Sequence, residues 1–234
     1  MEIPKLIDRI RECKKLLQVA LDFVDMEKAL RLATKIPREN NMILEAGTPL
    51  IKSFGISSVR FLRSISGNHL VFADMKIMDV GALEAKLAFS NGADGVSVSA
   101  LTNVETIQET VEEAEKWNGA VYADLIGIDG NAENLRLTIE KLKNAKVHVA
   151  LFHTGIDVQV KQGITAGKSL EIIKELKELF NGKIAVAGGI KPEEVSSFAE
   201  AGADIIIIGG GITKAEDPNL AASKAREGLG SDCL

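Results

Sequence analysis

The sequence predicts a single (β/α)₈ barrel, and three observations support this fold class. Eight short apolar runs recur along the 234 residues, and stretches with helical spacing separate them. The runs are apolar at nearly every position, as in strands of a parallel sheet that is buried on both faces. No linker or low-complexity segment divides the chain. A doubly wound open sheet is the alternative, but eight alternating units favour a closed barrel.

The predicted elements follow one another in a regular order. The strands are predicted at residues 16–22, 42–47, 70–77, 95–99, 120–127, 148–153, 183–189 and 204–210. Helical patterns lie between them and are clearest at residues 104–117, 132–142, 169–180 and 192–200. Residues 1–15 precede the first strand, and we expect them to form a helix that covers the bottom of the barrel. The chain is therefore expected to form one domain over residues 1–234.

Composition argues against several classes of partner. The net charge is −5 and no basic cluster is present, so we expect no nucleic-acid binding. The sequence contains no run of about eighteen apolar residues, the length needed to cross a membrane. The N-terminus lacks the apolar core of a signal peptide. The two cysteines, Cys13 and Cys233, lie near opposite ends, and we expect both to be reduced. These features predict a cytoplasmic protein.

Charged residues cluster where the predicted strands end. In a (β/α)₈ barrel the C-terminal strand ends carry functional groups, whereas the N-terminal ends serve stability. The residues at or just after these ends are Asp22, Glu45, Asp74, Lys76, Asp79, Asp124 and His153. Asp74 and Lys76 are two positions apart, so their side chains point to the same face of a strand. Because a buried charge needs a partner or a metal, this convergence predicts an active site.

Each of these residues also has a structural interpretation. Asp22 could cap the following helix, and Glu45 precedes a Gly-Thr-Pro turn where a glutamate is often structural. Asp74 and Lys76 could form an isolated ion pair, and Asp124 could belong to the hydrogen bonding of a loop. Their joint occurrence at one mouth of the barrel favours the catalytic interpretation, but for Asp124 the two interpretations stay open.

Paired glycines follow the last two strands, as Gly188-Gly189 and Gly210-Gly211. Barrels often bind phosphate in the loops after strands seven and eight. Glycine lets the backbone approach a ligand closely, and the amides at a helix start can donate to phosphate oxygens. One glycine pair is ordinary in a turn, but two pairs on neighbouring strands predict a phosphate site.

With these residues placed, the chain resembles the orotidine 5′-monophosphate decarboxylase superfamily, which is marked by Asp-x-Lys-x-x-Asp at strand 3. The motif is present as Asp74, Lys76 and Asp79. Within the superfamily, the chain looks like the 3-hexulose-6-phosphate synthase family. The matching segments span nearly the whole barrel and are LQVALD (17–22), EAGTPLIKSFG (45–55), ADMKIMDVG (73–81), HTGID (153–157) and GGGITKAEDP (209–218).

The resemblance implies a Mg²⁺-dependent aldolase. Such an enzyme joins formaldehyde to D-ribulose 5-phosphate through an enediolate, giving D-arabino-hex-3-ulose 6-phosphate reversibly. Glu45 and Asp74 match the carboxylates that bind Mg²⁺, which takes hard oxygen ligands, and Mn²⁺ could replace it. Lys76 matches the residue that stabilises the enediolate, and His153 matches the general acid and base.

The resemblance also assigns two aspartates outside this centre. Asp22 matches a residue that holds substrate hydroxyls. Asp79 matches a residue that reaches into the site of a neighbouring subunit, which implies a homodimer with shared active sites. The implied ligands are thus a sugar phosphate and formaldehyde, and the implied protein partner is a second copy of the chain.

Two positions distinguish the aldolase from its principal alternative. The 3-keto-L-gulonate 6-phosphate decarboxylases use the same enediolate chemistry but carry an arginine just before the aspartate of the strand 6 motif. The chain has Ile156 there. They also carry an arginine after the paired glycines of strand 8, where the chain has Gly211. Both differences favour the aldolase.

Two further alternatives involve other chemistry or none. Lys76 could form a Schiff base, as in metal-free aldolases, but neighbouring carboxylates keep a lysine protonated and oppose this role. The barrel could instead bind a sugar phosphate without catalysis. Binding alone does not require an acid–base set such as Asp74, Lys76 and His153.

Overall fold

The computed structural model describes residues 5–128, 132–155, 157 and 166–230, which form a closed barrel of eight parallel strands. The strands follow one another around the barrel in chain order, and the last strand pairs with the first. The prediction of a (β/α)₈ barrel is confirmed, and the open-sheet alternative is wrong.

The strands end at or slightly before their predicted ends. They are β1 (Leu16–Leu21), β2 (Met42–Ala46), β3 (Leu70–Ile77), β4 (Gly95–Ser99), β5 (Ala120–Asp124), β6 (Val149–His153), β7 (Lys183–Ala187) and β8 (Ile205–Ile208). The shortening affects β1, β2, β5, β7 and β8, because the glycine-rich and polar residues at these ends belong to the loops of the barrel mouth.

Helices surround the barrel and connect successive strands. They are α1 (Leu6–Glu12), α2 (Met26–Ala33), α3 (Thr48–Phe54), α4 (Ser57–Ser66), α5 (Gly81–Ser90), α6 (Val104–Lys116), α7 (Ala132–Asn144), α8 (Ala166–Leu179), α9 (Val195–Glu200), α10 (Gly210–Thr213) and α11 (Pro218–Glu227), with a 3₁₀ turn at Pro192–Glu194. Within the described ranges, no helix has the length and apolar character needed to cross a membrane.

Alternate residues of each strand face opposite sides of the barrel wall. On β1, Leu17, Val19 and Leu21 join the larger core between the strands and the helices. Leu16 and Ala20 of the same strand join a smaller cluster that fills the lumen. The lower lumen is therefore a packed core, and the upper mouth is the part that ligands can reach.

Helix α1 covers the lower end of the barrel. Its Leu6 and Ile10 are buried in the lumen cluster. A Cβ at Gly95 would lie 2.6 Å from Leu6 Cδ2, so the missing side chain of Gly95 makes room for Leu6. The apolar face of α1 closes the lumen on the side opposite to the C-terminal strand ends.

Cys13, directly after α1, is disulfide-bonded, so the expectation that the cysteines are reduced is wrong. Cys233 is the only other cysteine of the chain and lies outside the described residues. The disulfide also removes the argument for a reducing compartment that rested on the cysteines.

Two similar turns secure the lower ends of β4 and β8. Gly-Ala-Asp precedes each strand, and Asp94 and Asp204 each accept a hydrogen bond from a backbone amide of the neighbouring strand, at 2.8 and 2.9 Å. Arg63 pairs with Asp94, and Lys177 pairs with Asp204 at 2.7 Å. These charges at the lower face pair with one another and serve stability.

Candidate active site

A cavity of about 710 Å³ opens at the C-terminal ends of the strands. Residues of β3 and β6, and residues that follow β1, β2, β5, β6, β7 and β8, contribute to its wall, so the cavity draws on most of the barrel. The predicted site residues on this wall are Asp22, Asp74, Lys76, His153, Gly189, Gly210 and Gly211. Glu45, Asp79 and Gly188 are predicted site residues that do not line it.

Strand β3 is irregular where it carries the predicted motif. Ala73 pairs with Val96 and Ile77 pairs with Val98, so four steps along β3 match two steps along β4. Lys76 lies inside this bulge with φ of 47°, in the left-handed region. A β-bulge changes the direction in which side chains leave the strand, and bulges often lie next to active sites. Here the bulge brings the side chain of Lys76 onto the cavity wall.

Asp74 is held by three neighbouring side chains. Lys76 Nζ lies 2.9 and 2.8 Å from its two carboxylate oxygens. The Thr48 hydroxyl donates to Asp74 Oδ2 at 2.7 Å, and the Ser97 hydroxyl donates to Oδ1 at 2.7 Å. Ser97 Oγ also accepts from the backbone amide of Lys76 at 2.8 Å. Asp74 therefore has one well-defined orientation, and the pair with Lys76 is part of a network rather than isolated.

Asp124 links Lys76 to His153. Its Oδ2 accepts from Lys76 Nζ at 2.8 Å and lies 3.0 Å from His153 Nδ1. Its Oδ1 accepts from the backbone amide of Ile126 at 2.8 Å. Asp124 is fully buried at the end of β5. These contacts fix the carboxylate and hold a lysine and a histidine side by side.

The charges in this network reinforce one another. Burial lowers the pKa of Lys76, but the carboxylates of Asp74 and Asp124 outweigh it and raise the pKa overall. Burial raises the pKa of Asp124, but His153 and Lys76 outweigh it and lower the pKa overall. Lys76 is therefore an ammonium and Asp124 a carboxylate. A carboxylate can only accept hydrogen bonds, so His153 Nδ1 must carry the hydrogen in its contact with Asp124. The other ring nitrogen, Nε2, is then the one that can exchange protons with a substrate.

Asp22 lies between two glycines at the cavity wall. A Cβ at Gly47 would overlap Asp22 Oδ1, and one at Gly209 would lie 3.0 Å from Oδ2. The side chain is open to the cavity, but the surrounding walls displace water and, together with the charge of Asp74, raise the pKa of Asp22. Asp25 rather than Asp22 caps α2. Asp22 is therefore a carboxylate that faces the ligand space.

Glu45 lies on β2 beneath the cavity and is buried. Its Oε2 accepts a hydrogen bond from Gln18 Nε2 at 2.5 Å. Burial, followed by the negative charges of Asp74 and Asp22, raises the pKa of Glu45 well above its usual value. No cationic side chain of the described ranges forms an ion pair with it. The three carboxylates therefore form a region with excess negative charge.

The chemistry of Glu45 and Asp74 fits a hard divalent cation. Mg²⁺ is commonly bound by one or two carboxylates and completes its shell with water and substrate oxygens. The two residues lie on adjacent strands, and a cation would offset their excess negative charge. Over the described residues, no group of three or more His, Cys, Asp or Glu could hold a metal alone. A cation here would depend on water and substrate for its other ligands.

The glycine loops after β7 and β8 form another part of the wall. Gly189, Gly210 and Gly211 line the cavity together with Lys191 and Lys214. Neither lysine forms an ion pair with any residue that the structure describes. Two unpaired ammonium groups beside exposed backbone suit a phosphate group. This part of the wall therefore offers local positive charge in an otherwise acidic protein.

Gly188, a predicted substrate-binding residue, does not line this cavity. Gly188 and Gly189 both have positive φ angles, 116° and 67°. This left-handed pair turns the chain at the end of β7, and only Gly189 of the two lies on the wall. Gly188 supports the turn instead.

Asp79 lies in the loop after β3, outside the cavity wall. It is exposed, and its Oδ1 accepts from the backbone amide of Val80 at 2.8 Å. Val80 has φ of 44°, which is strained for a β-branched residue and is typical of functional loops. Asp79 therefore makes no contact with this cavity within the described chain.

Sequence reasoning left Asp124 undecided and missed Lys191 and Lys214. Asp124 ends a strand just as His153 does, and this equivalence was the signal that could have selected it. Each lysine follows a glycine pair by a few residues, so a search for cations next to the phosphate loops would have found both. Ser97 and Thr48 carry no comparable signal, because small hydroxyl residues are common in strands and loops.

Comparison with known proteins adds independent information. The family model described as orotidine 5′-phosphate decarboxylase / HUMPS family matches residues 15–225. A 3-hexulose-6-phosphate synthase of Staphylococcus epidermidis is 35% identical and is covered over 98% of its length and 91% of this chain. A bifunctional enzyme Fae/Hps of Methanoregula boonei is 38% identical over 86% of this chain, which spans about half of that protein (49%).

A solved structure shows the same architecture. The crystal structure of 3-hexulose-6-phosphate synthase from Salmonella typhimurium superposes with a TM-score of 0.82 at 32% identity, covering 92% of this chain and 98% of that one. The family match extends from β1 into α11 and includes every residue of the cavity wall named above. The chain belongs to the orotidine 5′-phosphate decarboxylase / HUMPS family.

Proposed function

We propose that the chain is an aldehyde-lyase that condenses formaldehyde with D-ribulose 5-phosphate to D-arabino-hex-3-ulose 6-phosphate and also catalyses the reverse reaction. The names of the full-length relatives support this activity. One observation carries the chemistry: the Lys76 ammonium lies between Asp74 and Asp124, and His153 contacts the same Asp124 oxygen. An anion-stabilising cation beside a proton-exchanging group suits an enediolate reaction.

The cavity accounts for the binding of a sugar phosphate. Its volume of about 710 Å³ falls in the range of small-molecule sites. The phosphate lies against Lys191 and Lys214, where ammonium groups and glycine amides provide donors. Asp22 accepts hydrogen bonds from sugar hydroxyls. This arrangement directs the carbonyl end of the sugar toward Lys76 and His153.

Proton transfer falls to His153. Its Nε2 takes a proton from C1 of ribulose 5-phosphate, and the electron pair moves to the C2 oxygen. C1 then attacks formaldehyde, one carbon–carbon bond forms, and the former aldehyde oxygen takes the proton back from Nε2. Lys76 stabilises the negative charge on the substrate by a charge-assisted hydrogen bond. The reaction consumes no further reagent.

Glu45 and Asp74 are the residues that hold Mg²⁺, or Mn²⁺ in its place. When bound, the cation supplies a Lewis acid that favours negative charge on substrate oxygens. Thr48 and Ser97 donate to Asp74 and keep its carboxylate in one orientation. The carboxylates around Lys76 keep it protonated, which opposes a Schiff-base role for this lysine.

The active form is proposed to be a homodimer in which Asp79 completes the site of the neighbouring subunit. Large apolar side chains surround Asp79 and are between 42% and 57% exposed; this Asp79 patch consists of Met78, Val80, Leu83, Leu87 and Leu101. The Thr102 hydroxyl donates to the Met78 carbonyl at 2.6 Å and so joins the two loops that carry the patch. A second copy, related by two-fold symmetry, would bury the patch.

Decarboxylation of 3-keto-L-gulonate 6-phosphate is the second candidate, because the same charged network could stabilise the enediolate left by loss of CO₂. One contact disfavours it. A Cβ at Gly211 would lie 2.6 Å from the Ile190 carbonyl oxygen, so an arginine there would require the β7 loop to move. The other distinguishing residue, Ile156, lies outside the described residues.

A comparison of substrates on one preparation tests the assignment. Formaldehyde consumption with ribulose 5-phosphate is measured beside CO₂ release from 3-keto-L-gulonate 6-phosphate. We expect the larger kcat/KM for formaldehyde condensation. A larger kcat/KM for CO₂ release would replace the proposal by the decarboxylase. Unchanged turnover after Lys76→Ala would instead contradict the role of the charged network.

A further inference from the structure

Two buried polar atoms lack a hydrogen-bond partner among the residues that the structure describes. They are Gln18 Oε1 and the Tyr122 hydroxyl, and both residues are fully buried. An unpaired polar atom in a low-dielectric interior lowers stability. The surrounding lumen cluster is apolar, so a well-packed apolar pair would be more stable at these positions. The cost indicates that Gln18 and Tyr122 do something other than stabilise the fold.

Glu45 is the neighbour that the two residues share. Gln18 Nε2 donates to Glu45 Oε2 at 2.5 Å. Gln18 pairs in register with Ile43, two positions before Glu45, so its amide reaches the carboxylate from below. Burial, followed by the charge of Glu45, raises the pKa of Tyr122 well above its usual value. The phenol is thus protonated and within electrostatic reach of the same carboxylate.

Packing fixes the ring of Tyr122 next to the strand pair that carries Glu45, because Phe72 is the register partner of Glu45. The ring of Tyr122 lies against Phe72, with 4.3 Å between the ring centroids. Neither Gln18 nor Tyr122 lines the active-site cavity, so neither can touch a substrate there. Whatever they contribute to the reaction must therefore pass through Glu45.

We propose that Gln18 and Tyr122 are positioning residues that hold the Glu45 carboxylate in the orientation that a divalent cation requires. The inference rests on the proposed cation site at Glu45 and Asp74. The amide of Gln18 binds Oε2 and so restrains one oxygen of the carboxylate that would hold the cation. The Tyr122 hydroxyl makes no hydrogen bond in the described structure and limits rotation of the Glu45 carboxylate by the space that it fills. Partners of this kind commonly tune the affinity of a metal site.

Mn²⁺ binding to the full chain, followed by electron paramagnetic resonance without substrate, tests the inference. Gln18→Met removes the amide at similar volume, and Tyr122→Phe removes only the hydroxyl. We expect Mn²⁺ affinity to fall about 10-fold or more in Gln18→Met, and to fall less in Tyr122→Phe. Because the hydroxyl is unpaired, Tyr122→Phe should keep or raise the Tm while it weakens Mn²⁺ binding. If Tyr122 had a purely structural role, the Tm and the Mn²⁺ affinity would fall together in Tyr122→Phe.

Ile205→Val is the matched packing control, because Ile205 belongs to the same lumen cluster but carries no polar atom. We expect it to lower the Tm and leave Mn²⁺ affinity unchanged. If the wild type binds Mn²⁺ and both test variants bind it equally well, the positioning role is wrong and the cation site stands. If the wild type binds no Mn²⁺, the cation site fails and the inference fails with it. Tyr122→Phe alone decides the matter if Gln18→Met does not fold.

Discussion

Asp124 Oδ2 accepts a hydrogen bond from Lys76 Nζ at 2.8 Å, and the same oxygen lies 3.0 Å from His153 Nδ1. One buried carboxylate oxygen thus joins the group proposed to stabilise an anion to the group proposed to move a proton. The second oxygen of Asp124 is held by the backbone amide of Ile126. Asp124 therefore fixes the relative positions of Lys76 and His153.

Replacement of Asp124 by asparagine tests this relationship. The substitution keeps the shape but removes the charge that orients His153 and attracts Lys76. We expect kcat to fall about 100-fold or more, as for the loss of well-positioned acid–base catalysis, with little change in KM. Steady-state kinetics measure both, and Glu140→Gln on the exposed face of α7 is the control. A kcat near that of the wild type would contradict the proposed coupling.

Lys191 and Lys214 are predicted to bind the phosphate. Each offers one charge-assisted hydrogen bond, so we expect Lys191→Ala or Lys214→Ala to raise the KM for ribulose 5-phosphate about 10-fold or more. Lys224→Ala is the matched control, because Lys224 lines only the neighbouring cavity. Inhibition by inorganic phosphate should weaken in the two test variants alone. Equal KM values in all three variants would place the phosphate elsewhere.

Stabilisation by Mg²⁺ is predicted to depend on pH through Glu45. Burial and the charges of Asp74 and Asp22 raise the pKa of Glu45. At pH values between the pKa of Glu45 in the unfolded chain and its pKa in the folded chain, the folded chain binds more protons than the unfolded chain. Glu45 therefore contributes less to stability as the pH rises through this range. Mg²⁺ binds the deprotonated carboxylate and should offset that loss. The Mg²⁺-induced rise in Tm should therefore be larger at mildly alkaline than at mildly acidic pH.

Glu45→Gln supplies the control for this pH dependence. It removes the titrating group at nearly constant shape, and we expect the Mg²⁺-induced rise in Tm to become small at every pH. An equal rise in Tm for wild type and Glu45→Gln would exclude Glu45 as a ligand. Thermal denaturation with and without Mg²⁺ measures all of these quantities.

Shared active sites predict that two inactive variants complement each other. Lys76→Ala inactivates the active site of the subunit that carries the substitution. Asp79→Asn inactivates the active site of the neighbouring subunit. In a mixed dimer one site carries both changes and the other carries neither. After random exchange of subunits, about a quarter of wild-type activity should return. Activity that stays at the level of the separate variants would argue against a contribution of Asp79 in trans.

The fold followed from the sequence because strands of a parallel barrel are buried on both faces. Each strand therefore reads as a continuous apolar run, and polar residues stand out where it ends. Asp22 and His153 lie at such ends, whereas Asp74 lies within β3 next to its bulge, and all three line the cavity. Glu45 also precedes the end of its strand, by one residue, but its side chain is buried beneath the mouth and does not line the cavity.

Other features could not be predicted because they depend on the folded backbone. The bulge of β3 places Lys76 at a positive φ angle. The residue types of the Asp-x-Lys-x-x-Asp motif do not predict this backbone conformation. Strand alternation predicted that Lys76 and Asp74 share a face, and both line the cavity, but it could not predict the contact of Lys76 with Asp124 on β5.

The most direct test of the proposed function is formaldehyde consumption with ribulose 5-phosphate, first with Mg²⁺ and then with excess EDTA. We predict consumption that EDTA abolishes and that added Mg²⁺ restores, because Glu45 and Asp74 need the cation to offset their charge. Consumption that is indifferent to EDTA would contradict the metal-dependent mechanism and point to a Schiff base on Lys76. No consumption under either condition would contradict the proposed aldolase activity itself.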